Sequence, residues 1–135
     1  MYELPKSLAD LYEFLFSSGF TVVHEQRGGM AGLDLVLGGS VPGRAGEVPT
    51  YVNISSDRDH WALAVKFGGM ARWITAGAWE AYLDGVPMEG RSLEQQTFLV
   101  ERRIHEMAEA FRRGKDIEPR LVRIGEDYMR GQLGI

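Results

Sequence analysis

The spacing of apolar residues changes twice along the chain, and the order of these spacings is the strongest restriction on the fold. Residues 8–16 repeat apolar side chains at helical intervals. From Phe20 to Ile74 the period is two, as in strands with one buried face, and after Thr75 helical spacing returns. Consecutive strands with no helices between them form hairpins and not βαβ units. The order therefore predicts an α+β fold built on an antiparallel meander.

The alternating region divides into about five strands. Its apolar runs predict strands over residues 20–25, 33–37, 51–55, 61–67 and 71–74. The pairs Gly28-Gly29 and Gly68-Gly69 suit tight turns between strands. Residues 38–47 (GGSVPGRAGE) contain four glycines and a proline, so this segment is predicted to be a loop.

Helices flank the meander on both sides. An N-terminal helix is predicted from Ser7 to Gly19, and a short helix after Thr75. SLEQ at 92–95 is a capping box that begins a long helix, and a last helix is expected from Pro119. The long and C-terminal helices are predicted to pack on one sheet face, and residues 1–135 to form a single domain.

Composition excludes several classes of function. The 135 residues include no cysteine, which removes disulfides, thiolate metal sites and cysteine nucleophiles. A net charge of −4 disfavours nucleic-acid binding, which uses dense basic surfaces. The N-terminus lacks a signal-peptide pattern, and no apolar run approaches the ~20 residues of a membrane span. We expect a cytoplasmic protein that binds neither nucleic acid nor membrane.

Catalytic motifs are lacking in the sequence. Neither GxxxxGK[ST] nor GxGxxG occurs, and the Gly-Gly pairs do not open helices as phosphate-binding loops do. No GxSxG motif accompanies the three histidines. HEMAE at 105–109 lacks the second histidine of the zinc motif HExxH, so a solvated helix face explains it better. We predict a protein that is not an enzyme and has no metal or cofactor.

The segment SSDRDHW at 55–61 is the densest group of charged residues in the acidic part of the chain. Residues 1–90 carry 6 Lys and Arg against 11 Asp and Glu. A hairpin turn is the favoured interpretation, because Ser and Asp stabilise turns through local hydrogen bonds. A binding loop for a cationic partner is the second, and a metal site the least favoured. The candidate partner-binding residues are Asp57, Arg58, Asp59 and His60.

Trp73 is a further candidate for partner binding. Trp61 alternates with Leu63 and Val65 and is expected in the core, whereas the two neighbours of Trp73 in sequence face away from it. If Trp73 shares an open sheet face with Tyr51 or Lys66, that face would be a recognition surface.

The order of several short segments resembles small actinobacterial proteins regarded as immunity-type partners of polymorphic toxins. The segments are SGF at 18–20, RWI at 72–74, WEAYL at 79–83, SLEQQ at 92–96 and GEDYM at 125–129. The resemblance implies stoichiometric, non-enzymatic binding to a toxin domain through an acidic or aromatic face.

Three functions are weighed on this basis. The leading hypothesis is an immunity or inhibitor protein that neutralises a partner, such as a basic toxin domain. The second is a small acidic secretion or folding chaperone, which would form a homodimer. The third is a small-molecule-binding domain or enzyme with a pocket between the sheet and the long helix.

Overall fold

The computed structural model describes residues 4–28, 32–43, 46–57, 60–114 and 116–134. A five-stranded antiparallel sheet follows one helix and precedes three others in this part of the chain, which confirms the predicted α+β meander. The elements are α1 (Lys6–Ser17), β1 (Thr21–Gly28), β2 (Gly32–Gly43), β3 (Gly46–Asp57), β4 (His60–Phe67), β5 (Ile74–Thr75), α2 (Ala76–Asp84), α3 (Leu93–Arg113) and α4 (Ile117–Leu133).

The sheet has one covered face, which we call the inner face. Its strands lie in chain order, β1 to β5, with antiparallel neighbours throughout. Inner-face side chains of β2, β3 and β4 are buried at alternate positions, because successive strand residues point to opposite sides. The inner face supplies Leu35, Leu37, Val52, Ile54, Leu63 and Val65 to the core.

The long helix α3 covers the inner face. The predicted capping box is confirmed: Ser92 Oγ accepts from Gln95 N, and the Gln95 side chain accepts from Ser92 N. Val100, Ile104 and Met107 of α3 belong to the same buried cluster as the inner-face residues. The cap fixes where α3 begins, and the apolar stripe fixes which side of it meets the sheet.

Two shorter helices close the β5 end of the sheet. Trp79 of α2 is fully buried and its Nε1 donates to Val65 O at 3.0 Å. Helix α4 packs against α2 and β5 and buries Ile117 and Leu121. The indole hydrogen bond ties α2 to β4, so α2 in turn positions α4 at the end of the sheet.

The predicted loop at residues 38–47 is wrong. Strands β2 and β3 run through this segment on either side of residues 44 and 45, and Val41 pairs with Val48, both 3% exposed. The glycines here serve packing as well as turning: a Cβ on Gly39 would lie 2.7 Å from Cγ of the buried Phe20 ring. The glycines make the alternation of apolar and polar residues hard to detect, because glycine contributes no apolar side chain to the pattern.

Several element boundaries also differ from the sequence-based prediction. Strand β5 is limited to Ile74–Thr75, whereas residues 71–74 were expected. Helix α4 begins at Ile117, so Pro119 lies in its first turn, where its missing N–H costs no helical hydrogen bond. Helix α1 begins at Lys6, after Pro5.

Replacing Gly39 with alanine is expected to lower the free energy of unfolding by about 1–3 kcal/mol, because the new methyl group would overlap the Phe20 ring in a filled core. Chemical denaturation of the variant measures the change. Gly69→Ala is the control, since a Cβ there meets no atom within 4 Å and should change stability little. Equal stability of the two variants would contradict the close packing of Phe20 on Gly39.

Candidate functional site

The sheet face opposite α3, which we call the outer face, bears the candidate site. Apart from Gly38, its described residues in β2, β3 and β4 are exposed or half-buried, whereas their inner-face neighbours are mostly buried. The register places these outer-face residues in cross-strand rows. Four such rows are Gly38–Tyr51–Lys66, Val36–Asn53–Ala64, Asp34–Ser55–Ala62 and Asp57–His60.

A lysine between two aromatic rings is the most distinctive feature of the outer face. Lys66 Nζ lies 4.7 Å from the ring centroid of Trp73 and 6.0 Å from that of Tyr51. Both distances allow attraction between the ammonium group and the aromatic rings. Trp73 is 38% exposed, so a large apolar surface stays accessible beside the charge. The condition set for Trp73, a shared face with Tyr51 or Lys66, is met; its role in binding stays a prediction.

Gly38 allows the Tyr51 ring to lie close against the sheet. A Cβ on Gly38 would lie 3.3 Å from Cδ1 and Cε1 of Tyr51 and 3.0 Å from Cγ1 of Val23. Val23 is itself 56% exposed, and it lies at the irregularity in pairing between β1 and β2. The lysine and its aromatic neighbours therefore continue into exposed apolar surface toward β1.

A small polar cluster lies beside this row. Asn53 Nδ2 donates to Asp34 Oδ1 at 2.6 Å and to Leu35 O at 3.2 Å, while Asp34 Oδ2 lies 3.6 Å from His24 Nε2. Sequence reasoning missed this cluster because its members come from three strands, and only the register brings them together. Among the described residues, no group of three His, Asp or Glu side chains could hold a metal ion.

The tip of the β3–β4 hairpin lies at the other end of the outer face. Asp57 pairs with His60 and both are exposed, which confirms that SSDRDHW is a hairpin connection; Arg58 and Asp59 lie outside the described residues. Asp57 lies six positions after Tyr51 in β3, a distance of about 20 Å at ~3.3 Å per residue. The structure therefore does not bring the hairpin residues and Trp73 into one site.

A groove of about 610 Å³ opens next to Trp73, between α4 and the β5–α2 segment. Its rim is fixed by Glu118 of α4, whose carboxylate accepts from the backbone N–H groups of Ala71 and Arg72 at 3.1–3.2 Å. No sequence motif indicates this groove, because its two walls lie about fifty residues apart in the chain. The lining is mainly apolar and comprises Arg72, Trp73, Ile74, Thr75, Ala78, Met88, Leu121, Val122, Gly125, Glu126, Tyr128, Met129 and Arg130.

The helical side of the molecule carries paired charges. Arg91 Nε donates to Glu80 Oε1 at 2.6 Å, and this hydrogen bond raises the pKa of the Arg91 guanidinium. Hydrogen bonds to Glu106 and Asp84 likewise raise the pKa of Arg103. Both arginines stay charged. Arg103 joins α3 to α2, and Arg91 joins the segment between these helices to α2, so the pairs have a structural role.

No protein-family model, curated protein or solved structure matches the chain. In the part of the chain that the structure describes, no helix combines the length and apolar character needed to cross a membrane.

Removing either charged group at the two ends of the outer face is expected to leave the fold intact. Asp57→Ala and Lys66→Met should each change the free energy of unfolding by less than about 1 kcal/mol, because Asp57 is exposed and a half-exposed cation–aromatic contact is weak. Thermal and denaturant unfolding measure this. A larger loss would show that the group stabilises the fold and would make it unsuitable for testing recognition.

Proposed function

We propose that this chain is a cytoplasmic, non-enzymatic protein-binding module of the immunity or inhibitor type, which neutralises a partner domain by stoichiometric binding. The single observation that carries the proposal is the outer face: a sheet surface that no described helix covers, with Lys66 Nζ close to the rings of both Tyr51 and Trp73. Aromatic residues are enriched at the anchoring positions of protein interfaces, where they bury large areas at low entropic cost.

The size of the outer face supports a protein as the ligand. The eight residues of β4 span about 26 Å, and five strands at a spacing of ~4.8 Å span about 20 Å. These dimensions enclose about 500 Å², and β2 and β3, with twelve residues each, extend the surface toward the ~800 Å² that each partner contributes to an ordinary stable interface. A small substrate would be poorly enclosed on such a flat surface.

The charges of the outer face support a partner with two differently charged regions. Asp34 and Asp57 lie toward the hairpin tip, where a basic surface of a toxin domain would be attracted. Lys66 lies at the other end, where the partner would present an acidic or polar group. The proposed partner therefore has a basic region, and this region would contact the end of the outer face at the β3–β4 hairpin.

Packing between the sheet and α3 disfavours the enzyme alternative. The side chains that face each other there, including Val52, Leu63, Val100 and Ile104, are at most 2% exposed and form one cluster. A pocket between sheet and long helix, which that alternative needs, would displace these contacts.

Products of neighbouring genes are the partners to test, by purifying each together with the tagged protein and titrating any that associates. We expect one product to bind at 1:1 stoichiometry. Trp73→Ala and Lys66→Ala should weaken that binding by roughly tenfold or more, the effect of losing interface residues worth over ~1.4 kcal/mol.

Phe98 and Arg102 on α3 provide the matched control. Phe98 is 60% exposed and the Arg102 guanidinium lies 4.9 Å from its ring centroid, so the pair repeats the aromatic–cation chemistry away from the outer face. Phe98→Ala and Arg102→Ala should leave binding unchanged. Absence of any associating product would contradict the proposal, and a homodimer formed through the outer face would favour the chaperone alternative instead.

A further inference from the structure

Strand β1 forms an open edge of the sheet. Among the described strands it pairs with β2 alone, and the side chains of residues 21–27 are all exposed. The other edge differs, because β5 is only two residues long and α2 and α4 pack beside it. An edge strand presents a row of backbone N–H and C=O groups to which a further strand can pair. Pairing of the sheet with another chain is therefore expected at β1.

Hydrogen bonds made by β2 show which residues of β1 direct their backbone groups to this edge. Leu33 N donates to a serine hydroxyl of β3 at 3.0 Å, and Leu35 O accepts from an asparagine side chain of β3 at 3.2 Å. The backbone groups of both leucines therefore point toward β3 and away from β1. Residues opposite each other in an antiparallel pair point their backbone groups either both together or both apart. Glu25 and Arg27, which lie opposite Leu35 and Leu33, thus direct their N–H and C=O groups toward the open edge.

Glu25 and Arg27 also carry opposite charges on the same side of the strand. Because they lie opposite Leu35 and Leu33, their side chains point to the inner-face side of the sheet, where both are exposed. A charge in this position normally protects an edge, since an added strand would place an apolar or like-charged side chain against it. The protection does not apply to a strand that carries the same two charges in the reverse order, as an antiparallel copy of β1 does.

A second copy of β1, antiparallel to the first and centred on Gln26, matches both charges. Glu25 of each copy then lies opposite Arg27 of the other, in a pair whose backbone groups point together and form hydrogen bonds. Ion pairs between directly opposed strand residues stabilise the pairing, and like charges there destabilise it. A guanidinium group has five N–H donors, so Arg27 can bind this carboxylate beside contacts within its own chain. The edge is therefore complementary to itself.

We propose that two copies of this chain associate through their β1 edges, in an antiparallel ladder over residues 24–28 with Gln26 on the two-fold axis. At each end of this ladder His24 lies opposite Gly28, which has no side chain to crowd the imidazole. The irregularity in pairing between Val22 and His24 disturbs the strand before this segment, so the ladder begins at His24.

Such a dimer leaves the candidate site of each copy accessible. Glu25 and Arg27 point to the same side of the strand, so their pairing joins inner face to inner face and the two-fold axis runs perpendicular to the sheet. The two five-stranded sheets become one, with both outer faces on the same side and with Lys66 and Trp73 of each copy remote from the junction. The proposal concerns self-association, so it does not depend on the proposed function.

Sedimentation velocity of the full chain at low ionic strength measures the association. A ladder of five residues buries far less than the ~1,200 Å² of the smallest stable interfaces, so we expect a weak dimer with a dissociation constant on the order of 10⁻⁵–10⁻³ M. Glu25→Arg and Arg27→Glu each place like charges opposite each other in both pairs and should weaken self-association by roughly tenfold or more. Both sites are exposed, so the thermal unfolding temperatures of the variants should stay close to that of the natural protein.

A mixture of these two variants provides the matched control. One variant is positive at both positions and the other is negative, so opposite charges face each other again, and the mixture should form a heterodimer about as tight as the natural dimer. A natural chain that stays monomeric up to about 1 mM, or a mixture no more associated than either variant alone, would overturn the proposal. Loss of partner binding in Glu25→Arg, with a monomeric natural chain, would assign the edge to the partner instead.

Disulfide formation tests the register, because the chain has no cysteine of its own. Gln26→Cys would face the same position of the second copy, with Cα atoms ~4.5 Å apart, a separation that a disulfide can span. His24→Cys is the control on the same side of the same strand, where the two positions would lie about 13 Å apart along the ladder. Under mild oxidation Gln26→Cys should form linked dimers at least roughly tenfold faster than His24→Cys. Equal rates, or faster linking at position 24, would overturn the proposal.

Discussion

Burial of the inner sheet face under α3 is the constraint on which the rest of the structure depends. One capped amphipathic helix covers the alternating apolar residues of β2, β3 and β4, and together they form one core. Because side chains alternate across a strand, burying one set commits the other set to the outer face. The exposure of Tyr51 and Lys66 is thus a direct consequence of the burial of Val52 and Val65.

Two adjacent glycines show how closely the two faces are linked. Gly39 leaves room on the inner side for Phe20, and Gly38 leaves room on the outer side for the Tyr51 ring. One glycine thereby serves the stability of the core, and its neighbour shapes the surface proposed for recognition. A pair of glycines inside a strand can hold large aromatic residues against both sides of the backbone.

The short last strand of the sheet determines where the candidate site lies. Strand β5 is only two residues long, so the sheet stops early and α4 packs beside it. Trp73, immediately before β5, is placed where the outer face meets the groove. The flat aromatic surface and the groove form one continuous region because the strand that could have separated them is so short.

Sequence patterns predicted the elements better than their contacts. The meander, the capping box of α3 and the hairpin at Asp57–His60 were all predictable, since each depends on local periodicity or on residues close in the chain. The prediction fails at residues 38–47 because turn propensity outweighs the alternating pattern there, whose apolar signal rests on Val41 and on its partner Val48 just beyond the segment. For Trp73, the sequence predicts exposure only on one condition, that Trp73 shares the open sheet face with Tyr51 or Lys66.

By itself, the sequence determined the α+β class, the order of the strands and helices, and the absence of cysteine chemistry. Only the tertiary structure decided that Lys66 lies between Tyr51 and Trp73, that His24, Asp34 and Asn53 meet, and that a groove opens beside Gly125. The physical reason is that these sites depend on strand register and helix packing. Both are set by the burial of many side chains together, and no short stretch of sequence encodes them.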